Sequence, residues 1–360
     1  MITSRRTQGT HSQGPLRIIG WLFGLVIALL CVAFLLFPGW SVSRELSTVP
    51  VVAHAVAFAR ISGIALLVFS TLFFLVKVLY RARPARRFEV LPTLTLLLWA
   101  FSGGWLIAFP QGLAEHASSL VGSGEKRTVG LVGKHLKVVG YNSQDTLSAT
   151  DLRELDEKFR ADIYVFPEGG VDHVNAAVAG SGVTGQIFSP RDDGFGSVYN
   201  ETIAPTTVLV RPSAGTWIQQ KVSPLSFGAV GLRSADAGGV RLVGVHTAPP
   251  VPGLMGAWRD DLRTVRAEAS SAQEPILLVG DFNATLRHGA MADLSGIDDA
   301  ASAMGKVEGT WPVGMSPVLS APIDHVLVSD SIDVVDFQTV RVGDGDHRAV
   351  YAELVISSTR

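Results

Sequence analysis

Cysteine is nearly absent. Cys31 is the only one in 360 residues, so the chain forms no internal disulfide, and one thiol says nothing about redox compartment. Charge is scarce too: 17% of residues are charged against 47% hydrophobic. The mean hydropathy of +0.32 lies above that of an ordinary soluble domain and excludes a disordered chain. No large charge of one sign is present, since the net charge is −2. Nothing in that figure suggests a nucleic-acid binder or an acidic tail. No internal repeat or low-complexity block appears. The net charge, however, averages two unlike parts. Residues 1–119 carry ten Lys/Arg and three Asp/Glu, a net +7, and residues 120–360 carry twenty and twenty-nine, a net −9. The chain therefore divides into an apolar basic third and an acidic, normally mixed remainder.

Three apolar runs fill the first third, at about 18–37, 61–80 and 90–109. Each approaches the ~20 residues needed to cross ~30 Å of hydrocarbon. A soluble helical core would need polar faces to cover three such runs, and none are available. Trp21, Trp40, Trp99 and Trp105 fall near the expected span ends, as interfacial tryptophans do. The first run is too long for a signal peptide, and Ala53-His54-Ala55 lies too far downstream to be its cleavage site. Arg5, Arg6 and Arg17 precede the first run, and Lys77, Arg81, Arg83, Arg86 and Arg87 flank the segment after the second. Only Arg44 and Arg60 lie between the first two. The positive-inside rule then predicts a cytoplasmic N-tail at 1–17 and, after three crossings, an extracytoplasmic remainder. His54 and Arg60 are expected at the interface, just outside the second span.

Residues 110–132, with Ser118-Ser119 and Gly122-Ser123-Gly124, read as a linker. A globular region of about 133–357 follows. Short β-type runs recur at Leu136–Tyr141, Asp162–Pro167, Thr206–Arg211, Arg241–His246, Pro275–Gly280, Ile323–Val328 and Arg348–Val355. Ser148-x-x-Asp151 resembles a capping box, and Leu152, Leu155 and Phe159 then share a helical face. Trp258, Leu262 and Val265 repeat that spacing. Strands with helices between them predict a sheet-rich α/β domain with a substantial core.

Polar residues gather where these strands end or begin. Asn142, Glu168, His246, Asp281 and Asn283 each follow an apolar strand, Asp324 opens one, and Asp346-His347 precedes the last. Strand ends at one rim converge on a single site in such folds. Oxygen donors such as Glu168, Asn142 and Asp346 suit Mg²⁺ or Mn²⁺ and not zinc. A phosphate ester resists attack because its oxygens repel the nucleophile. A divalent cation and hydrogen-bond donors neutralise that charge, and a carboxylate or His–Asp pair deprotonates water.

Gly280-Asp281-Phe282-Asn283-Ala284 resembles the signature of the endonuclease/exonuclease/phosphatase superfamily. Asn142, Phe166-Pro167-Glu168, His246-Thr247-Ala248-Pro249, Ile323-Asp324-His325 and Asp346-His347 match its other elements in order. The resemblance covers about 133–357. It implies an α/β fold in which the three-helix membrane region precedes a four-layer α-β-β-α sandwich. It also implies roles. Glu168, helped by Asn142 and completed by Asp346, would hold Mg²⁺ or Mn²⁺. Asp281 would orient or deprotonate water, and Asn283 would donate to the phosphate. His246, and His347 paired with Asp324, would stabilise the transition state or exchange protons. Tyr199-Asn200-Glu201 resembles an element of the nuclease branch in which the Glu supports the histidine matching His246. Asp172, His173, Asp192 and Asp193 read as ordinary loop polars.

The substrate reading rests on a departure. Where nucleases of this superfamily place a phosphate-gripping arginine, this chain reads Pro224-Leu225-Ser226-Phe227. The domain's negative charge also opposes a polyanion. Three spans before an outward domain are similar to a membrane-anchored actinobacterial type linked to glycopeptide resistance, which implies lipid-linked substrates such as prenyl pyrophosphates. The partners expected are the bilayer and a lipid-linked phosphate, with nucleic acid disfavoured and no protein partner inferable. A surface nuclease and an inactive binding module are the alternatives.

Overall fold

The computed structural model describes residues 14–81, 90–112, 133–190, 203–235 and 239–357. The first part folds as α1 (Gly14–Leu36), α2 (Ser41–Ser47), α3 (Pro50–Ala57), α4 (Ala59–Arg81) and α5 (Val90–Ala108). Ile19–Leu36, Ala59–Leu79 and Val90–Ala108 are long and apolar enough to cross a membrane. Their side chains agree with that: Phe23, Leu30, Leu72 and Leu97 lie exposed, which lipid tolerates and water does not. Gly63 of α4 and Gly103 of α5 set the closest approach between these two helices. A Cβ on either would meet the other's carbonyl oxygen at 2.6 Å, so the backbones touch where small residues permit it. The segment between the first two apolar runs contains α2 and α3. Pro50 opens α3 at a position where its missing N–H costs nothing.

The remainder contains α6 (Ala149–Phe159), α7 (Val171–Ser181), α8 (Met255–Ser271), the one-turn α9 (Ala300–Ala303) and twelve described strands. These are β1 (Gly133–Gly140), β2 (Ile163–Phe166), β3 (Gln186–Phe188), β4 (Thr207–Val210), β5 (Trp217–Gln220), β6 (Ala229–Ser234), β7 (Arg241–His246), β8 (Ile276–Asp281), β9 (Ile297–Asp299), β10 (Asp324–Ser329), β11 (Ile332–Arg341) and β12 (Arg348–Ser357). One sheet runs β11-β12-β1-β2-β4-β3 and the other β5-β6-β7-β8-β10-β9. Each has one parallel pair, β1 with β2 and β7 with β8, and the remaining pairs are antiparallel.

Side-chain alternation builds four layers. Val138, Ile163, Val165, Leu277 and Val279 point between the sheets. The alternate residues Val139, Tyr164 and Phe166 face Leu152, Leu155 and Phe159 of α6 and Val174 of α7. On the other side, Ile276 and Leu278 face Trp258, Leu262 and Val265 of α8. Burying each such aliphatic side chain contributes about 1.5–3 kcal/mol, and a one-residue slip would turn a whole strand over. Register is therefore fixed on both faces. The Ser148–Asp151 capping box forms as expected, with Ser148 Oγ accepting from the Asp151 N–H. Ala53 of α3 joins the α8 layer, so the segment between the first two spans is part of the domain's core.

Candidate active site

The strand ends meet at one rim between the sheets. Parallel β1 and β2 deliver Asn142 and Glu168 just past their C-termini, and parallel β7 and β8 end on His246 and Asp281, which stand opposite each other in register. Antiparallel β10 begins at the same rim, with Asp324 opposite Asp281. Antiparallel β12 brings Asp346 and His347 there as it begins. The turns at this rim carry positive φ at non-glycine residues, among them Glu168 at 49° and Asn283 at 45°. Such strain persists where surrounding contacts hold it, and it clusters at functional sites. Gly280, at φ 144°, is required for a different reason: a Cβ there would lie 2.0 Å from the Val245 carbonyl oxygen of β7.

Asn142 bridges the two sheets. Its Nδ2 donates to Glu168 Oε1 and to Asp281 Oδ2, both at 3.0 Å, and its Oδ1 accepts from the Gln144 N–H at 3.0 Å. Asp281 Oδ1 accepts from the Asn283 N–H at 2.7 Å, while Asn283 Nδ2 donates to the Thr247 carbonyl at 2.9 Å. His347 Nδ1 lies 2.8 Å from Asp324 Oδ2, which leaves Nε2 facing Asp281 at 3.7 Å and Asp346 at 3.9 Å. His246 Nε2 sits 3.6 Å from Glu168 and 3.9 Å from Asp281. Its Nδ1 is buried without a hydrogen-bond partner among the described residues. The Phe227 ring meets the His246 ring edge-on at 5.1 Å, so the stretch that lacks an arginine presents an aromatic wall to this histidine.

The electrostatics separate the two imidazoles. Burial pulls the His347 pKa down, but Asp324 and Asp281 outweigh it and push the group up to about 10. Burial, reinforced by the charge on His347, lowers His246 to about 3. At neutral pH the site thus holds one imidazolium and one neutral imidazole. Burial, then Asp324, raises Asp281 to about 7, and burial raises Glu168. A pair of groups pushed apart in this way can divide acid and base roles.

The residues fit a hard divalent cation. Four carboxylates converge here, and burial penalises the charge on Glu168 and Asp281, a penalty that a cation would relieve. Asp281, Asp324 and His347 each place a donor atom within 4.8 Å of the others, all three buried. The expected metal set was Glu168, Asn142 and Asp346. Glu168 lies in the cluster with its side chain 24% exposed, Asn142 turns its amide nitrogen to the carboxylates, and Asp346 lies at the open edge.

Tyr199, Glu201, Asp192 and Asp193 lie outside the described residues. Asp172 and His173, expected in a loop, stand on α7 instead, with His173 Nδ1 2.8 Å from Asp145. Three further residues support the site, two of them, Trp311 and Asp261, outside any motif. Trp311 Nε1 donates to Asp346 Oδ2 at 2.9 Å. Asp261 accepts from the Ala248 N–H at 2.8 Å and from Ser226, fixing the turn after His246. His325, next to Asp324, is buried between Asp299 and the Ala284 carbonyl. A tryptophan before Pro312 in a polar loop was the one available signal for Trp311.

A model described as the endonuclease/exonuclease/phosphatase family matches residues 140–347. No curated protein matches the sequence. Among solved structures, humanized D. rerio TDP2 is similar at 16% identity, covering 61% of this chain and 98% of that one with a TM-score of 0.48. A functionally unknown conserved protein from Enterococcus faecalis V583 is similar at 15% identity, covering 61% and 99% with a TM-score of 0.47. An endonuclease/exonuclease/phosphatase family protein from Bacteroides thetaiotaomicron is similar at 14% identity, covering 62% and 98% with a TM-score of 0.45.

Proposed function

The chain belongs to the endonuclease/exonuclease/phosphatase family, and from that premise we propose that it is a membrane-anchored, Mg²⁺- or Mn²⁺-dependent phosphohydrolase acting on a lipid-linked phosphate, pyrophosphate or phosphodiester. Its catalytic domain lies on the extracytoplasmic side, a placement supported by the basic residues that flank the N-terminal ends of the first and third spans. When bound, the cation neutralises charge on the phosphoryl oxygens. Glu168 would be its principal ligand, with Asn142 and Asp346 helping to hold it. Asp281 orients the attacking water and accepts its proton. Asn283, with one Nδ2 hydrogen left after Thr247, donates to a phosphoryl oxygen. His347, held protonated against Asp324, donates from Nε2 to the developing charge. Neutral His246 is available to exchange a proton.

One observation carries the lipid assignment: the rim of the site is pinned to the membrane helices. Trp311, which holds Asp346, packs its ring against Phe58 with centroids 6.1 Å apart. Two residues on, Arg60 in the first turn of α4 donates to the Val318 carbonyl at 3.1 Å. A site tied to the end of a span sees membrane substrates at high effective concentration. Arg348, the arginine next to His347, directs its guanidinium to the Gly309, Val313 and Met315 carbonyls, so it is already engaged away from a polyanion.

The test is a substrate panel on full-length, detergent-solubilised protein with Mg²⁺ or Mn²⁺: prenyl pyrophosphate, phospholipids, sphingomyelin and DNA. Hydrolysis of a lipid, lost in Glu168→Ala and Asp281→Ala with folding retained, is the expected result. Rapid DNA cutting with every lipid untouched overturns the substrate assignment, and full activity in both variants overturns the site.

A further inference from the structure

A second site lies apart from the catalytic rim. The α2 helix starts at the end of the first span, after Pro38-Gly39-Trp40. Trp40, Val42, Leu46, Val49 and Val51 are all exposed, while Ser43 and Ser47 of the same segment are buried. The Gly289 N–H donates to Ser47 Oγ at 2.8 Å, which fixes the buried side against the catalytic domain. A short amphipathic segment with apolar side chains outward, directly beside a span end, belongs at headgroup depth.

Between α2 and α8 lies a cavity of about 210 Å³ whose polar lining includes Arg44, Glu45, Arg259, Arg263 and Arg266. The charges there do not cancel. Arg44 and Arg266 share one carboxylate, Asp293. Arg263 pairs with Asp260, and both are largely exposed. Arg259 has no carboxylate among the described residues. Its Nη2 donates to the Thr48 carbonyl at 2.8 Å, and its Nε is buried with no hydrogen-bond partner. Four guanidinium groups thus face three carboxylates, counting Glu45, and the unpaired cation keeps an unsatisfied buried donor. A buried donor left in this state is destabilising. A phosphate in the cavity would balance the excess positive charge, and the planar guanidinium fork matches phosphate.

We propose that this pocket binds the phosphate of an anionic phospholipid headgroup from the leaflet beside the catalytic domain. The chemistry recognised is that of a phosphate whose charge no neighbouring ammonium cancels, which sets phosphatidylglycerol apart from zwitterionic phosphatidylcholine, and the interfacial position of α2 selects the lipid as its source. The proposal rests on reading α1, α4 and α5 as spans. It does not depend on the catalytic assignment, because no lining residue belongs to the cluster around Asp281.

The experiment compares the thermal midpoint of full-length protein in nanodiscs of phosphatidylcholine alone and of phosphatidylcholine with a one-third share of phosphatidylglycerol. Occupancy of the pocket should raise the wild-type midpoint by about 3–5 °C. In Arg259→Gln and in Arg263→Gln the rise should fall to less than half. Because each variant is compared with itself across two lipids, any loss of baseline stability drops out. Equal wild-type midpoints in both lipids overturn the proposal. So does a rise that persists undiminished in both variants, which would be a response to surface charge. The same rise produced by inorganic phosphate in phosphatidylcholine nanodiscs overturns the lipid as source.

Discussion

Arg287 Nη2 donates to the Phe109 carbonyl at 2.7 Å, at the end of the third span. The same guanidinium reaches the Pro110 carbonyl from Nε at 2.9 Å and the Leu35 carbonyl from Nη1 at 3.2 Å. One buried cation from the catalytic domain therefore caps the C-termini of α1 and α5, where carbonyls lack helical partners and the helix dipole favours positive charge. Arg287 follows Asn283 by only four residues. The membrane helices thus brace the loop that carries two site residues, and His288 and Leu286 extend the contact to Ala53 and Gln111.

The Arg287→Met variant tests that brace. It keeps the apolar stem and removes donors to three buried carbonyls. Charged hydrogen bonds contribute about 1.5–3 kcal/mol each and do not add fully, so a loss of about 3 kcal/mol is expected. Urea denaturation in detergent reads it out. A midpoint equal to wild type would show that the caps are energetically idle.

Asp324 controls His347. In Asp324→Asn the larger of the two carboxylate contributions that raise the imidazole is gone and Asp281 is left to oppose burial, so the His347 pKa falls from about 10. A rate that needs the protonated form then loses its alkaline limb at lower pH than wild type. We expect kcat to drop about 10²–10⁴-fold, with KM changed far less. A pH–rate profile with an unmoved alkaline limb would remove His347 as the donor.

The positions of these residues were legible because each polar side chain interrupts the end of an apolar strand. The membrane helices were legible because their runs have no polar face. The elements that pattern alone did not reveal are weaker in sequence. In β6, Gly231 and small residues dilute the signal, and α7 is built largely from Ala, Val and Gly. The long β11 carries Asp333 and Asp336 among its valines. The junction was invisible for another reason. Arg287 and its partners lie up to 252 residues apart, and no local period reports such a contact. Pro110 and Gln111, expected at the start of a linker, are docked by it.

Gly280→Ala tests the backbone approach behind the signature loop. The new Cβ would sit 2.0 Å from the Val245 carbonyl, at a φ of 144° that side chains avoid. Strand β7 must then separate from β8 beside His246. Strain of this kind destabilises by more than the ~1 kcal/mol of an ordinary substitution, and about 3 kcal/mol is expected. Chemical denaturation measures it, and a fully stable variant would show that the two strands can slide apart freely.

His288 gives the junction a pH dependence. Burial holds its pKa down to about 4. Its Nδ1 accepts from the Thr285 N–H at 2.8 Å and its Nε2 lies 2.9 Å from the Ala53 carbonyl. The neutral ring, protonated on Nε2, satisfies both contacts, and a proton on Nδ1 would destroy the first. The folded state therefore binds fewer protons than the unfolded state, whose histidine titrates near 6.5. Its contribution is fully present above about pH 6.5 and is lost as pH falls toward 4. At ~1.4 kcal/mol per pH unit this amounts to about 3 kcal/mol. The stability difference between wild type and His288→Gln should shrink by about that amount between pH 7 and pH 4. A difference that stays constant over that range would mean that His288 is not held neutral by its surroundings.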